Sequence, residues 1–269
     1  MPDARREDPL ARLRTVLSDL GPVVVGFSGG ADSAFLAWMA ADVLGAELAP
    51  CTTAVSPSLA AGELAGCRSL AEAWGLAWST VATDELDRVA YVANGPDRCA
   101  HCKASLLDAL GPQAEALGGT VVLGVNLDDL GDHRPGQAAA AAAGARFPLV
   151  EAGFTKAMVR RASRELGLAT WDKPAGACLA SRIPYGVAVT VGALGSVQRA
   201  EAALRALGLR QLRVRHHGDV ARVEVDPAEL EQAFRLRAEV AGAVRAAGYA
   251  YVALDLDGFR SGSLNEVLA

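Results

Sequence analysis

The chain has 269 residues, of which 51% are hydrophobic and 21% are charged, and its formal net charge is −5. This length allows a sizeable core in one domain or two, and the slight negative charge argues against a protein built to bind nucleic acid. The sequence lacks an apolar run of about 18 residues, which a membrane span needs, and residues 1–13 are charged where an export signal would be apolar. We therefore expect a cytoplasmic protein without membrane or nucleic-acid partners.

The first part of the chain predicts alternating strands and helices. Apolar runs stand at 23–27, 48–54, 76–82 and 120–125, with helix-like segments at about 32–44, 58–74 and 103–117. This alternation is typical of buried parallel strands joined by crossover helices. An alanine-rich stretch at 137–147 predicts a further helix that fills space.

The pattern changes after about residue 187. The predicted elements there are a helix at 190–207, strands at 209–216 and 220–226, a helix at about 227–247 and a strand at 249–257. We therefore predict an α/β protein in which a parallel-sheet domain, residues 1–187, precedes a smaller C-terminal α+β domain, residues 188–269.

The first strand runs directly into a loop of small polar residues, in the stretch VVVGFSGGADSAFLA. A turn between a buried strand and a helix places backbone N–H groups and the positive helix end at the carboxyl edge of the sheet, where anions bind. The glycines allow close approach to phosphate oxygens, and the serines add hydroxyl donors. The candidate residues are Ser28, Gly29, Gly30, Asp32 and Ser33.

A phosphate-binding role for this loop requires a cation. The P-loop pattern GxxxxGK[ST] does not apply, because the loop has no lysine. Asp32 by itself would repel phosphate, but it fits the loop if it holds a Mg²⁺ ion that bridges pyrophosphate oxygens. The alternative is an ordinary strand-to-helix turn capped by a serine or an aspartate.

The segment SGGADS resembles the SGGxDS signature of the PP-loop ATP pyrophosphatase superfamily. Members of this superfamily adenylate a carboxyl or carbonyl oxygen and release pyrophosphate. Six further segments resemble, in order, blocks of the LarE family, the sulfur transferases that help make the nickel-pincer cofactor of lactate racemase. They are NGPDRCAHCK, GVNLDDLGDHRPG, EAGFTK, WDKPAGACLASRIPYG, RVRHHGDVARVEV and LDLDGFRSGSLNE, and with the loop they span about 23–266.

The resemblance implies a PP-loop ATP pyrophosphatase fold for the first domain, with ATP and Mg²⁺ as cofactors. It also implies the substrate, a pyridinium dicarboxylate mononucleotide. One carboxylate of this substrate would be adenylated with loss of pyrophosphate, and a sulfur nucleophile would then displace AMP to give a thiocarboxylate. A homo-oligomer and a supply of sulfide or another sulfur donor are further implications.

Three of the five cysteines are candidates for the sulfur chemistry, and an odd number without an export signal favours thiols or metal ligands over disulfides. Cys99 and Cys102 form C-x-x-C, and Cys178 follows in KPAGACLASRIP. Three thiolates can hold an iron–sulfur cluster and leave one iron without a protein ligand. In some LarE members, however, the cysteine at the position of Cys178 gives up its own sulfur and becomes dehydroalanine. Because all three cysteines are present, we favour a 4Fe-4S cluster held by them.

Other interpretations of the cysteines stay open. C-x-x-C is also found in dithiol redox pairs and, with a third cysteine, in zinc sites, although neither uses an ATP-activating loop. Cys51, in an apolar strand, and Cys67, in a helix-like segment, are expected to be small buried hydrophobes.

A second polar segment, GVNLDDLGDHRPG, follows the fourth strand. Its carboxylates, which include Asp128 and Asp132, suit the edge of a sheet where a metal–nucleotide complex binds. The alternative is a turn capped by Asn and Asp. By the resemblance, this segment lies near the nucleotide. The candidates for nucleotide binding are Gly124, Asn126, Asp129 and Arg134.

Two arginines predict a phosphate site in the second domain. Arg213 and Arg215 are two residues apart on a predicted strand, so they point to the same face and suit clamping a phosphate. The alternative is an exposed strand face with two solvated arginines. The resemblance favours the clamp and implies that Ser181, Arg182 and Glu224 complete the site.

Other protein classes share parts of this pattern. A PP-loop amidotransferase or ammonia-dependent synthetase would use the ATP loop and leave the cysteines without a role. A tRNA thiolase combines ATP activation with cluster-bound sulfur, but the acidic charge and the lack of a recognisable basic RNA-binding segment count against it. A nucleotide sensor without catalysis would leave the cysteine set unexplained.

Overall fold

The computed structural model describes residues 8–131, 135–174 and 176–260. In chain order, the described elements are α1 (Pro9–Leu20), β1 (Val23–Gly26), α2 (Ala31–Leu44), β2 (Cys51–Val55), α3 (Ala61–Trp74), β3 (Trp78–Ala82), α4 (Val89–Val92), α5 (Arg98–Leu117), β4 (Thr120–Leu123), α6 (Pro135–Ala142), α7 (Pro148–Glu151), α8 (Lys156–Glu165), α9 (Val191–Ala206), β5 (Leu212–His217), β6 (Val220–Val225), α10 (Leu230–Arg235), α11 (Arg237–Ala246) and β7 (Tyr251–Leu254). Short 3-10 turns lie at Glu85–Asp87, Leu127–Gly131, Leu179–Arg182 and Pro227–Glu229.

The chain divides into two compact units. The first takes in the described residues of Met1–Ser56, Ala61–Glu85 and Cys99–Gly176. The second takes in those of Pro57–Ala60, Leu86–Arg98 and Ala177–Ala269. The second unit thus includes two segments from early in the chain, and the predicted boundary between residues 187 and 188 remains a prediction.

A parallel sheet organises the first unit. Its strand order is β3-β2-β1-β4, and all its pairs are parallel. The chain runs outward from β1 to β3 and then returns to β4 on the other side of β1, so the strand order reverses between β1 and β4. In open α/β sheets, ligands bind beyond the carboxyl ends of the strands at this point of reversal.

Helix α2 carries the polar loop at its N-terminus and lies in the core of the first unit. Its buried residues include Phe35, Leu36 and Met39, which pack in one cluster with Val25 of β1 and Phe154. A helix that is apolar on nearly every side is stable only inside a core. The packing of α2 therefore fixes the position of the loop that precedes it.

The second unit contains a three-stranded sheet in the order β5-β6-β7. Strands β5 and β6 form an antiparallel hairpin, and β7 pairs in parallel with β6. One face packs on α9 and α11 through a cluster that includes Leu204, Val214, Val223 and Val244. The predicted fold class, a parallel-sheet α/β part with a smaller α+β part, is confirmed.

One predicted element is wrong in detail. The helix predicted over 227–247 is a 3-10 turn followed by α10 and α11, which are separated at Leu236. The backbone there has ψ 20° instead of a helical value, while Leu236 packs against the core of the second unit. In the part of the chain that the structure describes, every helix is too short or too polar to cross a bilayer.

Candidate functional site

The loop between β1 and α2 is shaped by its two serines. The Ser33 hydroxyl accepts a hydrogen bond from the backbone N–H of Ser28 at 3.2 Å and donates to the carbonyl oxygen of Gly30 at 3.2 Å. The hydroxyls of Ser28 and Ser33 are 2.9 Å apart. No side chain caps α2 by a hydrogen bond at its N-cap, Gly30. The helix therefore presents backbone N–H groups at its N-terminus. This favours an anion-binding loop over the alternative of an ordinary turn capped by a serine or an aspartate.

Gly29 is needed for the shape of this loop. Its φ is +66°, in the region that L side chains rarely adopt, and a Cβ there would lie 2.9 Å from Sγ of Cys67. Gly124 serves the loop from the other side, because a Cβ on it would lie 2.7 Å from the backbone nitrogen of Ser33. The end of β4 thus approaches the first turn of α2 more closely than any other residue type would allow.

Replacing Gly29 by alanine is expected to destabilise the protein by about 2 kcal/mol, from the strained backbone and the contact with Cys67. Gly30→Ala is the matched control, since its φ is −74° and its nearest contact is the Ser28 hydroxyl at 3.5 Å. Thermal unfolding should show a loss of about 2–4 °C per kcal/mol for Gly29→Ala only. Equal midpoints for the two variants would contradict this account of Gly29.

Asp32 lies on the first turn of α2, where the ends of β1 and β4 meet. Its carboxylate forms an ion pair with the ammonium group of Lys156 and accepts a hydrogen bond from Nδ2 of Asn126 at 3.3 Å. Asn126 is buried, and its Oδ1 accepts from the backbone N–H of Asp128 at 3.0 Å. The Asp129 carboxylate accepts from the backbone N–H of Asn126 at 3.1 Å. The structure therefore brings the two predicted polar segments of the first unit together.

Two lysines that the sequence reasoning did not single out also reach this loop. Lys156 begins α8, and its backbone N–H donates to the carboxylate of Asp128 at 2.7 Å. Lys173 Nζ donates to the carbonyl oxygen of Gly29 at 3.1 Å and pairs with Glu63 at 2.9 Å. The positive charge that a P-loop carries on its own lysine is thus supplied here by residues far along the chain. The only sequence signal was that both lysines fall inside segments that resemble family blocks.

The residues around Asp32 fit a magnesium ion. Carboxylate and amide oxygens are hard donors, which Mg²⁺ prefers, and Mg²⁺ is usually held by one or two carboxylates together with substrate phosphates and waters. Among the described residues, no three His, Cys, Asp or Glu side chains form a group that could hold a metal ion by themselves. A magnesium ion at this position would therefore need most of its ligands from a bound molecule or from water. Arg134 and Asp132 lie outside the described residues.

The cysteines fall into two groups. Cys51 and Cys67 are buried in the core, as predicted, and burial raises the pKa of Cys51 to about 12. Cys99 is exposed and Cys102 is half-buried in the first two turns of α5, in the first unit. Cys178 is exposed in the second unit, directly before the 3-10 turn Leu179–Arg182. None of the five cysteines forms a disulfide, and the three candidates for sulfur chemistry are the more accessible ones.

The two predicted clamp arginines differ in their surroundings. Arg215 is buried, its Nε donates to Oε1 of Glu224 at 2.9 Å, and its Nη2 forms an ion pair with Oε2 at 2.8 Å. Its Nη1 donates to the carbonyl oxygen of Ser181 at 2.8 Å. Arg222 pairs with the same Glu224 carboxylate at 3.0 Å. Arg215 is therefore held in one position beside Ser181.

Arg213 is the more available of the two. Its guanidinium lies 5.0 Å from the ring centre of Phe259 and donates to the carbonyl oxygen of Leu212. No carboxylate among the described residues lies within ion-pair distance of it. Burial, and then the neighbouring charge of Arg182, lower the pKa of Arg213 to about 10, which leaves it protonated at neutral pH. A phosphate group would relieve this crowding of positive charge.

Three known proteins are similar to this chain over most of its length. The chain is 44% identical over 265 residues to an uncharacterized protein of Synechocystis sp., with 97% of this chain and 98% of that protein covered. It is 38% identical over 259 residues to pyridinium-3,5-bisthiocarboxylic acid mononucleotide synthase of Lactiplantibacillus plantarum, with 96% and 94% covered. An uncharacterized protein of Methanocaldococcus jannaschii is 23% identical over 240 residues, with 89% and 91% covered. No family model matches the chain.

Proposed function

We propose, since the chain belongs to the family of pyridinium-3,5-bisthiocarboxylic acid mononucleotide synthases, LarE, that it converts a carboxylate of a pyridinium dicarboxylate mononucleotide to a thiocarboxylate at the expense of ATP. The observation that carries the ATP-dependent step is the Asp32 carboxylate beside Lys156 and Asn126, at the open N-terminus of α2. This arrangement combines oxygen donors for a cation with N–H and ammonium donors for phosphate oxygens.

In the first step, a substrate carboxylate oxygen attacks the α-phosphorus of ATP. The bond from this phosphorus to the bridging oxygen breaks, and pyrophosphate leaves with the electron pair. The N–H groups of the loop, Lys156 and Lys173 would hold the phosphates in line and stabilise the charge that develops on the leaving group. Asp32, assisted by Asn126, would hold Mg²⁺, which when bound neutralises charge on the phosphate oxygens.

In the second step, a sulfur nucleophile attacks the acyl carbon of the adenylate, and the bond to AMP breaks. We propose that Cys178 takes part in this step, because its thiol is exposed while Cys51 and Cys67 are buried. The sequence contains all three cysteines of the three-cysteine type, in which a 4Fe-4S cluster held by Cys99, Cys102 and Cys178 would supply the sulfide. The described residues do not bring these three thiols into a group that could hold a metal ion, so the cluster is proposed from the cysteine set alone. Sulfide from a donor would then make turnover renewable.

The alternative source of sulfur is Cys178 itself. Its thiolate would displace AMP to form a thioester, and loss of the Cα proton would break the Cβ–S bond. The products would be the thiocarboxylate and a dehydroalanine at position 178, so each chain would deliver one sulfur. Both routes need the same adenylation step.

The phosphate of the substrate is assigned to the second unit. Arg213 would contact it directly, because its guanidinium has no carboxylate partner among the described residues. Arg215, held by Glu224, and Ser181 would form the wall of this site. The homo-oligomer and the cytoplasmic location remain predictions from the sequence and its resemblance.

Release of pyrophosphate is the experiment that tests the proposed function. The purified protein with ATP and Mg²⁺ should release pyrophosphate and AMP only when the pyridinium dicarboxylate mononucleotide is added, and thiocarboxylate should form. If the product instead contained no sulfur, a variant without Cys99, Cys102 and Cys178 would be tested for pyrophosphate release as well. A sulfur-free product together with release by that variant would favour an ammonia-dependent synthetase. If the wild-type protein released no pyrophosphate even when the mononucleotide was present, the proposal would be contradicted.

Iron and acid-labile sulfide distinguish the two sources of sulfur. Anaerobically purified protein is expected to hold about four irons, as a cubane cluster requires, and Cys99→Ala, Cys102→Ala and Cys178→Ala should each lose them. Cys51→Ala is the matched control, because that thiol is buried in the core and should leave the iron content unchanged. A protein that stays colourless and iron-free after reconstitution would rule out the cluster and leave Cys178 as a sacrificial donor, or a zinc site.

A further inference from the structure

We infer that Arg182 is a positioning residue for Cys178, which holds the backbone turn carrying this cysteine and does not contact the phosphate of the substrate. The inference rests on the proposed function, because it assumes that Cys178 takes part in sulfur transfer. It departs from the sequence-based expectation, which placed Arg182 in the phosphate site.

The first observation is what Arg182 donates to. Its Nη1 lies 2.6 Å from the carbonyl oxygen of Ala177 and 2.9 Å from that of Cys178. The same nitrogen is 3.0 Å from the hydroxyl oxygen of Ser181, which itself donates to the Cys178 carbonyl at 2.8 Å. Nη1 of Arg182 therefore binds the backbone carbonyl groups on both sides of the Cα of Cys178.

The second observation is how Arg182 is itself fixed. Its Nε and Nη2 donate to the two carboxylate oxygens of Glu201 at 2.8 and 3.1 Å, and the side chains are 4% and 1% exposed. Glu201, on α9, also accepts from the backbone N–H of Val214 in β5 at 3.2 Å and from Arg205 at 2.9 Å. Contacts from α9 and β5 thus fix the position of the Glu201 carboxylate that binds Arg182. A guanidinium so enclosed is poorly placed to bind a phosphate from solution.

The third observation is that two further buried arginines act on the same turn. Arg98 donates to the carbonyl oxygen of Ala180 at 3.0 Å, and Arg215 donates to that of Ser181 at 2.8 Å. The backbone N–H of Leu179 is also taken up, by the carbonyl oxygen of Ser58 at 2.9 Å. Leu179 and Ala180 are buried, so the backbone groups of this turn need partners within the protein. Three buried arginines supply most of these partners, and they fix the backbone next to the exposed thiol of Cys178.

The consequence for catalysis follows from geometry. A nucleophile or sulfur ligand must be held close to its productive position, and a displacement of about 1 Å can reduce a rate by about 10²-fold. The exposed thiol of Cys178, which under the proposed function has to meet an activated substrate, gains from a backbone held in this way.

The test is Arg182→Lys, which keeps the positive charge but cannot bridge Glu201 and two carbonyl groups at once. We expect the rate of thiocarboxylate formation to fall by about 10²-fold, with an unchanged KM for the mononucleotide and unchanged pyrophosphate release. The matched control is Arg205→Lys, which alters the other arginine on Glu201 without touching the turn. A raised KM at an unchanged rate would overturn the inference and return Arg182 to the phosphate site.

Hydrogen exchange gives a readout that is independent of activity. In the wild-type protein, the N–H groups of Leu179 and Ser181 should exchange slowly. Exchange across 177–183 should speed up in Arg182→Lys but not in Arg205→Lys. Fast exchange of this turn in the wild-type protein would overturn the inference even if the variant fails to fold. Absence of ATP-dependent pyrophosphate release in the wild type would instead contradict the proposed function, while the exchange result would still decide whether the turn is held.

Discussion

Asparagine in place of Asp32 is expected to slow ATP-dependent pyrophosphate release by about 10²-fold to 10³-fold, the usual loss when one preorganised electrostatic group is removed from an active site. The substitution keeps the size of the side chain and removes its charge. Lys156 then loses its carboxylate partner, and the cation that balances the phosphates loses its protein ligand. The variant should also need more Mg²⁺ for half-maximal release.

Asp42→Asn is the control for this experiment. Asp42 lies on the same helix as Asp32, and its carboxylate pairs with Arg14 at 2.6 Å on the surface. Exposed pairs of this kind contribute about 0–1 kcal/mol, so the variant should keep the wild-type rate. If Asp32→Asn retained its rate within about threefold at saturating Mg²⁺, far short of the expected loss, the assignment of Asp32 to the metal–nucleotide complex would be wrong.

Glutamine in place of Glu201 is expected to destabilise the protein by about 3–5 kcal/mol at neutral pH, the cost of breaking a buried ion pair by removing one partner. Arg182 would remain buried without its carboxylate, and the backbone N–H of Val214 would lose a charged acceptor. Urea unfolding at pH 7 measures the loss. Glu231→Gln is the control, because Glu231 is 82% exposed and pairs with Arg235 only across one helical turn.

The contribution of Glu201 to the free energy of unfolding should depend on pH. Burial alone would raise the pKa of this carboxyl, but the hydrogen bond and charge of Arg182 and the charge of Arg205 outweigh burial and lower it from the ordinary value of 4.5. Because the folded-state pKa lies below the unfolded one, the stabilisation is complete above the ordinary value and is lost as the pH falls through the folded-state pKa. The difference between wild type and Glu201→Gln should therefore narrow only below pH 4.5. A difference that stayed constant into that acidic range would contradict the role given to the ion pair.

The sheet of the first unit shows how much local pattern can predict. Apolar runs at 23–27 and 120–125 contain β1 and β4, and the predicted helix at 32–44 matches α2 closely. Buried parallel strands and crossover helices have distinct periodicities, which nearby residues alone determine. The polar loop after β1 was equally visible, because two glycines and a carboxylate at the end of a buried strand have few structural uses.

Long-range contacts were beyond the reach of such patterns. Lys156 and Lys173 lie more than a hundred residues beyond the loop that they contact, at separations of 124 and 144 residues. The expected pair of clamp arginines became one available guanidinium, Arg213, and one buried ion pair, Arg215 with Glu224. Alternation along a strand predicts which side chains share a face, but it does not say which carboxylate stands opposite.

The sequence by itself determined the α/β class, the position of the polar loop after β1 and the burial of Cys51 and Cys67. These properties follow from hydrophobic periodicity and from residue chemistry over short stretches of chain. Only the tertiary structure decided which cations serve the loop, that segments 57–60 and 86–98 join the second unit, and that Arg182 holds the turn of Cys178. Those outcomes depend on how buried charges and backbone groups find partners across the fold, and that competition is settled only when the whole core packs.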